Sequence, residues 1–108
     1  MSNQADAHAV PSPDLEQLIG TLRHQLPTLS QRYHVKSLGL FGSYARGEQQ
    51  SGSDLDVLVE FDEVPSLLTF VACERYLSES TGKHVDLVMK EALKPSIGQR
   101  ILNEVVPV

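Results

Sequence analysis

The residues best suited to chemistry are two aspartates, Asp54 and Asp56, which stand one residue apart at the start of an apolar run. Side chains in a β-strand alternate between the two faces of the sheet, so these carboxylates point the same way. Adjacent carboxylates repel each other, and a bound cation is a common reason for keeping both ionised. Mg²⁺ prefers oxygen ligands and is usually held by one or two carboxylates together with substrate phosphates. The pair therefore predicts a magnesium site at one end of a strand.

A second pair, Gly42 and Ser43, ends another strand pattern and is separated from the aspartates by a polar turn. Glycine has no Cβ, so a ligand can reach the backbone N–H groups around it, and the serine adds a hydroxyl. Arg46 follows closely, and a guanidinium matches phosphate oxygens with two parallel hydrogen bonds. Arg46 could equally pair with Glu48 or Asp54. Together with the aspartates, these groups predict a site for a nucleoside triphosphate.

The spacing of these residues resembles a known signature. Gly42-Ser43, ten further residues and then Asp54-x-Asp56 is similar to the motif of the DNA polymerase β-like nucleotidyltransferase superfamily. The fuller run, with Arg46-Gly47-Glu48 and Gly52-Ser53 ahead of the aspartates, resembles the small MNT-domain (minimal nucleotidyltransferase) proteins. Many of those are antitoxins encoded beside a HEPN-domain toxin. The similarity covers most of the chain.

The resemblance implies a polymerase β-like nucleotidyltransferase fold and a Mg²⁺-dependent transfer of AMP from ATP, with pyrophosphate as the leaving group. By this likeness Asp54 and Asp56 hold two Mg²⁺ ions, an arrangement that clamps the attacking and leaving oxygens. The implied acceptor is a tyrosine hydroxyl of a cognate HEPN-domain RNase toxin, which makes the protein a protein adenylyltransferase and an antitoxin. The residues expected to contact the nucleotide are Gly42, Ser43 and Arg46.

A third acid, Asp86, lies in the later alternating segment Lys83–Met89, on the face opposite Val85 and Leu87. The resemblance implies two roles for an acid on such a strand: a ligand of the catalytic metal, and a base or orienting group for the attacking hydroxyl. The alternative is an exposed strand residue that pairs with Lys83 or His84. We expect its strand to lie beside the strand that carries Asp54 and Asp56.

Two other functions stay open. The first is an antitoxin that only binds and occludes its toxin, with a vestigial nucleotide site. The intact set of Gly42, Ser43, Asp54 and Asp56 argues against it. The second is an enzyme that modifies a small molecule such as an antibiotic. Larger relatives with that activity carry an extra substrate domain, which we do not expect in this chain of 108 residues.

Composition narrows the partners. The formal net charge is −5, so direct binding to nucleic acid is unfavourable, because phosphate contacts need clustered Lys and Arg. No stretch approaches the roughly eighteen consecutive apolar residues of a membrane span. The single cysteine, Cys73, excludes a disulfide framework and fits a reducing compartment. We therefore expect a cytoplasmic protein that contacts neither nucleic acid nor membrane.

Strands and helices must position these residues, and the sequence predicts them from alternating and periodic apolar patterns. Strands are expected at Val35–Phe41, from Asp54 onward, and at Lys83–Met89. The order α-β-(turn)-β-α-β-α predicts an α/β (α+β) fold, a small mixed β-sheet with helices packed against it. We expect residues 1–12 to be a flexible N-terminus and residues 13–108 to form one minimal nucleotidyltransferase domain.

The helices are predicted from their ends and their periodicity. The first begins near Asp14, and we expect Pro27 to break it ahead of a short second helix. The next begins at the N-cap Ser66 and stops at Gly82, and the last begins at Ser96, which has capping-box spacing with Gln99. The apolar residues expected to face inward are Leu67, Phe70, Val71 and Leu77 in the middle helix and Ile97, Ile101 and Leu102 in the last.

Overall fold

The computed structural model describes residues 13–108, and the predicted flexible segment 1–12 lies outside the described residues. The helices are α1 (Pro13–Tyr33), α2 (Ser43–Arg46), α3 (Leu67–Thr81) and α4 (Pro95–Glu104), and a 3₁₀ turn spans Lys90–Ala92. The strands are β1 (Val35–Phe41), β2 (Leu55–Phe61), β3 (Val85–Met89) and β4 (Val106–Pro107).

The four strands form one mixed sheet in the order β3-β2-β1-β4. Strand β1 runs antiparallel to both β2 and β4, whereas β2 and β3 are parallel. A parallel pair needs a crossover connection, and α3 provides it. The predicted mixed sheet is confirmed, as is the expected adjacency of the second and third strands. Strand β4 and the short helix α2 were not predicted.

The core lies between one face of the sheet and the helices α1 and α3. Leu55, Val57 and Val59 of β2 are fully or almost fully buried, as their alternation with the acids predicts. Cys73 is buried there too, and its burial raises the pKa of the thiol to about 12. The cysteine is therefore a small core residue and not a nucleophile. Asp56 lies on the opposite face of β2, away from this core.

Helix α1 is continuous through Pro27, so the predicted break is wrong. A proline inside a helix costs about 3 kcal/mol, because it removes one hydrogen bond and crowds a carbonyl. Burial of one leucine contributes about 1.5–3 kcal/mol, and Leu22 and Leu29 on either side of Pro27 are both completely buried. The apolar face of a single continuous helix therefore outweighs the proline. The buried residues of that face are Leu15, Leu18, Leu22, Leu29 and Tyr33.

The ends of α3 are as predicted: the Ser66 hydroxyl accepts a hydrogen bond from the Thr69 N–H, and Gly82 adopts the left-handed conformation. Its predicted inward face is partly wrong, because Leu67 and Val71 are exposed. A helix turns about 100° per residue, and its buried face is centred on Cys73 and Leu77. Leu67 and Val71 are therefore rotated out of the core.

Helix α4 also differs from its prediction. It begins at Pro95 with Lys94 as its N-cap, and no side chain caps it, so the capping box at Ser96 is wrong. A proline suits the first turn because its missing N–H would have no partner there. Ile97 and Leu102 are exposed, contrary to the prediction. Within residues 13–108, no helix combines the length and the apolar character needed to cross a membrane.

Candidate active site

The register of the sheet brings Asp56 and Asp86 together. Asp56 in the central strand β2 is paired with Phe41 on β1 and with Asp86 on β3. Paired residues on neighbouring strands project from the same face and lie within interaction distance of each other. In the part of the chain that the structure describes, Asp86 makes no ion pair or hydrogen bond through its carboxylate, so the alternative pairing with Lys83 or His84 is not observed.

Asp54 lies immediately before β2 and has a different neighbour. Its Oδ1 atom is 3.1 Å from Nδ1 of His84, the residue just before β3. The backbone joins the same two segments, since the Leu55 N–H donates to the His84 carbonyl over 2.9 Å. The Asp54 side chain is 55% exposed. His84, which the sequence offered only as an alternative partner of Asp86, is exposed and contacts Asp54 instead.

The absence of a side chain at Gly42 leaves room for the Asp56 carboxylate. Its backbone has φ +76° and ψ −152°, a conformation that side chains strongly disfavour. A Cβ at this position would lie 2.1 Å from Oδ2 of Asp56, a distance at which two atoms overlap. The backbone of the turn and the carboxylate are therefore in direct contact. The sequence predicted that glycine would admit a phosphate; the structure shows that it also admits the aspartate.

Ser43 begins α2, the four-residue helix that follows Gly42. The turn is closed by two backbone hydrogen bonds, from the Arg46 N–H to the Gly42 carbonyl and from the Glu48 N–H to the Ser43 carbonyl. The Ser43 hydroxyl has no hydrogen-bond partner among residues 13–108 and is partly accessible. It is therefore free to donate to a ligand at the place where the turn meets Asp56.

Arg46 is held by two carboxylates. Its Nε donates to Glu48 over 2.9 Å, and its Nη1 lies 3.2 and 3.3 Å from the two oxygens of Glu104. The predicted alternative of pairing with Glu48 is thus observed, whereas pairing with Asp54 is not. The hydrogen bond to Glu48, reinforced by the charge of Glu104, raises the pKa of Arg46 above its usual value. Within the described residues Nη2 has no partner, so this permanent cation keeps donors for an anion.

The electrostatics of Asp56 indicate a cation site. Partial burial raises the pKa of the Asp56 carboxyl, the charges of Asp86 and Asp54 raise it further, and Arg46 opposes them. Such crowding of like charges is typical of functional sites and is relieved by a bound cation. The donors are all oxygens, as Mg²⁺ requires. Within residues 13–108, however, no three acidic, histidine or cysteine side chains are already arranged as a ligand set, and Asp54 is turned toward His84.

Glu104 is the residue of this site that the sequence did not indicate. It is the last residue of α4, yet it accepts a hydrogen bond from the Gly42 N–H over 2.8 Å and forms an ion pair with Arg46. The two partners stand about sixty residues away along the chain, so no local spacing connects them to Glu104. The contact follows from the pairing of β4 with β1, which brings the end of α4 close to Gly42.

Comparison with known proteins places these residues in a family. The nucleotidyltransferase domain family matches residues 22–108. The chain is 47% identical over 92 residues to the protein adenylyltransferase MntA of Thermococcus cleftensis. The aligned region covers 85% of this chain and 93% of that protein. A solved structure described as a minimal nucleotidyltransferase has a TM-score of 0.73 at 36% identity, covering 88% of this chain and 96% of that chain.

A more distant likeness concerns the fold alone. It is with the solved complex of a tri-AMPylated HEPN toxin of Shewanella oneidensis and an MNT antitoxin, at a TM-score of 0.56 and 19% identity. The match covers 87% of this chain and 67% of the chain in that complex. The family match at residues 22–108 includes every residue of the site described above.

Proposed function

This chain belongs to the nucleotidyltransferase domain family, and we propose that it is a Mg²⁺-dependent protein adenylyltransferase that acts as an antitoxin. The observation that carries the proposal is the contact between Gly42 and Asp56, with Asp86 beside it. This contact joins a phosphate-binding turn to paired carboxylates, which are the two parts that nucleotidyl transfer needs. The named activity of the relative from Thermococcus cleftensis supports the same reaction.

In this proposal Asp54, Asp56 and Asp86 hold the metal, which requires Asp54 to turn from His84. Mg²⁺ would supply charge neutralisation for the departing pyrophosphate and lower the pKa of the acceptor hydroxyl. Without a metal, partial burial and then the charges of Asp86 and Asp54 raise the pKa of Asp56, and a bound cation would offset both. The carboxylate oxygens of the site are donors that Mg²⁺ prefers, and we propose that it holds two such ions.

The chain's own groups account for the handling of the nucleotide. The free Ser43 hydroxyl and the Nη2 group of Arg46 donate hydrogen bonds to the triphosphate. The acceptor oxygen forms a bond to the α-phosphorus of ATP, and the bond from that phosphorus to the β-bridging oxygen breaks. Asp86, which has no partner in the described residues, accepts the proton of the acceptor hydroxyl. AMP is thereby attached to the acceptor, and pyrophosphate is released.

The openness of the site favours an acceptor on another protein. The side chains of Asp54 and Arg46 are 55% and 45% exposed, whereas a small-molecule site normally encloses most of its ligand. Net charge −5 disfavours an RNA acceptor. A hydroxyl delivered by a docked partner meets neither difficulty.

The partner that we propose is a HEPN-domain RNase toxin, with a tyrosine hydroxyl near the toxin's active site as the acceptor. Support comes from the solved complex of an MNT antitoxin with a tri-AMPylated HEPN toxin. This chain shares the fold of a chain in that complex. An added AMP would block RNA cleavage by its bulk and by its negative charge. The proposal treats residues 13–108 as a single domain that works in the cytoplasm, in contact with neither nucleic acid nor membrane.

The test of the acceptor is a mass measurement across three acceptor classes. The protein, ATP and Mg²⁺ are incubated in three separate reactions. The first contains the product of the neighbouring gene, the second contains aminoglycosides, and the third contains RNA. We expect AMP adducts on the partner protein alone. Efficient modification of aminoglycosides or RNA with the partner left unmodified would overturn the proposal.

A further inference from the structure

Glu104 links the C-terminal helix to the turn that precedes Asp56. Its Oε2 atom accepts the Gly42 N–H at 2.8 Å, and its two oxygens lie 3.2 and 3.3 Å from Nη1 of Arg46. One carboxylate thus holds a backbone group of the turn and a side chain of the helix that follows it. The Glu104 side chain is only 27% exposed, so this is not a solvated surface acid.

The position of Glu104 in α4 is locally unfavourable. It is the last residue of that helix, where the helix dipole is negative and an acidic side chain is disfavoured by about 0.3–1 kcal/mol. Removing most of a carboxylate from water adds a further cost. Its hydrogen bonds to Gly42 and Arg46 offset both, since charge-assisted bonds are the strong ones. A residue placed against its local preference commonly serves a site.

We propose that Glu104 is a positioning residue for nucleotide transfer, which holds Gly42 against Asp56 and orients Arg46. The inference rests on the proposed function only in taking the ligand to be a nucleoside triphosphate. Because the Gly42 Cα and the Asp56 carboxylate are in contact, a small shift of the turn moves the carboxylate as well. Misplacement of reacting groups by about 1 Å can cost a hundredfold in rate.

The orientation of Arg46 is the second half of the argument. Glu48 takes Nε and Glu104 takes Nη1, so the guanidinium is fixed along two edges while Nη2 stays open. Glu48 is 65% exposed and makes no hydrogen bond to Gly42 in the described part of the chain. Glu104 is therefore the only one of these two carboxylates that fixes both the backbone and the guanidinium.

A competing interpretation of Glu104 predicts the opposite change in nucleotide affinity. If Glu104 merely occupied donors meant for phosphate, its removal would free the Gly42 N–H and Arg46 and would tighten nucleotide binding. A positioning role predicts weaker binding, because the turn and the guanidinium lose their common anchor. The affinity for nucleotide therefore separates the two interpretations.

The experiment measures binding of α,β-methylene-ATP with Mg²⁺ by calorimetry, which needs no acceptor and no transfer. We expect Glu104→Ala to weaken binding by roughly tenfold to a hundredfold, about the effect of losing one hydrogen bond to a charged group. Glu104→Gln should weaken it less, since its amide oxygen can still accept the Gly42 N–H while its amide nitrogen cannot accept from Arg46. The control Glu48→Ala, which loses one contact to the same arginine, should have the smallest effect.

Thermal unfolding of each variant separates positioning from a purely structural role. If Glu104→Gln lowers the melting temperature but leaves nucleotide affinity unchanged at 25 °C, the inference is wrong. Tighter binding by either Glu104 variant would also overturn it. If the unmodified protein binds nucleotide in this Glu104-dependent way but transfers nothing to a partner, the proposed acceptor fails while the inference stands.

Discussion

Gly42 and Asp56 occupy adjoining space so closely that even one methyl group on Gly42 would overlap the Asp56 carboxylate, with its carbon 2.1 Å from Oδ2. The glycine's φ of +76° independently excludes most side chains. Gly42 begins the turn after β1, and Asp56 is the second residue of β2. The two strands are paired there through Phe41 and Asp56. The contact therefore fixes the proposed phosphate-binding turn relative to the proposed metal ligands.

Gly42→Ala should abolish nucleotide transfer and lower the free energy of unfolding by about 1–3 kcal/mol, because both the backbone conformation and the space exclude a side chain. Urea unfolding and a transfer assay measure the two effects. The matched control is Gly20→Ala, at an exposed helical position with nothing within 4 Å, which should stabilise by about 0.5–1 kcal/mol. A Gly42→Ala variant that matches the unmodified protein in both assays would refute the contact.

Asp56→Asn should keep the fold and, without metal, leave its stability level or raise it. Burial and the neighbouring acids raise the pKa of Asp56 in the folded protein, so the folded state binds this proton more tightly than the unfolded chain. The stabilisation from this bound proton is fully present when the pH is below 3.8, the ordinary pKa of an aspartate. It is lost as the pH rises through the raised pKa of Asp56 in the folded protein. The stability advantage of Asp56→Asn should therefore appear above that range and vanish below it.

Thermal unfolding as a function of pH, with and without Mg²⁺, measures this difference. Mg²⁺ should raise the melting temperature of the unmodified protein and have little effect on Asp56→Asn, because a ligand stabilises only the form that binds it. An Asp56→Asn variant that is less stable than the unmodified protein at pH 7 without metal would show that the carboxylates do not repel one another.

Ser43→Ala should reduce kcat/KM for ATP by roughly tenfold to a hundredfold, which corresponds to the 1.5–3 kcal/mol of one hydrogen bond to a charged group. The fold should be unaffected, since the hydroxyl makes no hydrogen bond within residues 13–108. Ser37→Ala is a suitable control, because among residues 13–108 the hydrogen-bond partner of that hydroxyl is Glu60 and not a residue of the site. A loss as complete as that of Asp56→Asn would give Ser43 a role beyond holding phosphate.

The parts of the fold that depend on local pattern could be predicted from the sequence. The bounds of β1 match the prediction, Ser66 and Gly82 cap α3 as expected, and Leu55 and Val57 lie on the core face. Each of these depends on period-two alternation or on cap chemistry within a few residues. The pairing of Asp56 with Asp86 followed from the expected adjacency of two strands.

The parts that depend on long-range packing could not. The tertiary burial of Leu22 and Leu29 keeps α1 continuous through Pro27, although local preference favours a break. The exposure of Leu67 depends on how α3 is rotated against the sheet. Glu104 reaches Gly42 because β4, which follows it by two residues, pairs with the end of β1. In the site, the sequence thus indicates the candidate chemical groups but not the residue that holds them in place.

The most direct test of the proposed function compares the unmodified protein with Asp56→Asn against the same cognate toxin. Each is incubated with the toxin, ATP and Mg²⁺; the intact mass of the toxin and its RNase activity are then measured, with complex formation followed in parallel. We predict that both proteins bind the toxin, that only the unmodified one adds AMP, and that only the modified toxin stays inactive after the complex is separated. If Asp56→Asn neutralises the toxin as durably as the unmodified protein and neither changes its mass, the protein acts by occlusion and the proposed transfer is contradicted.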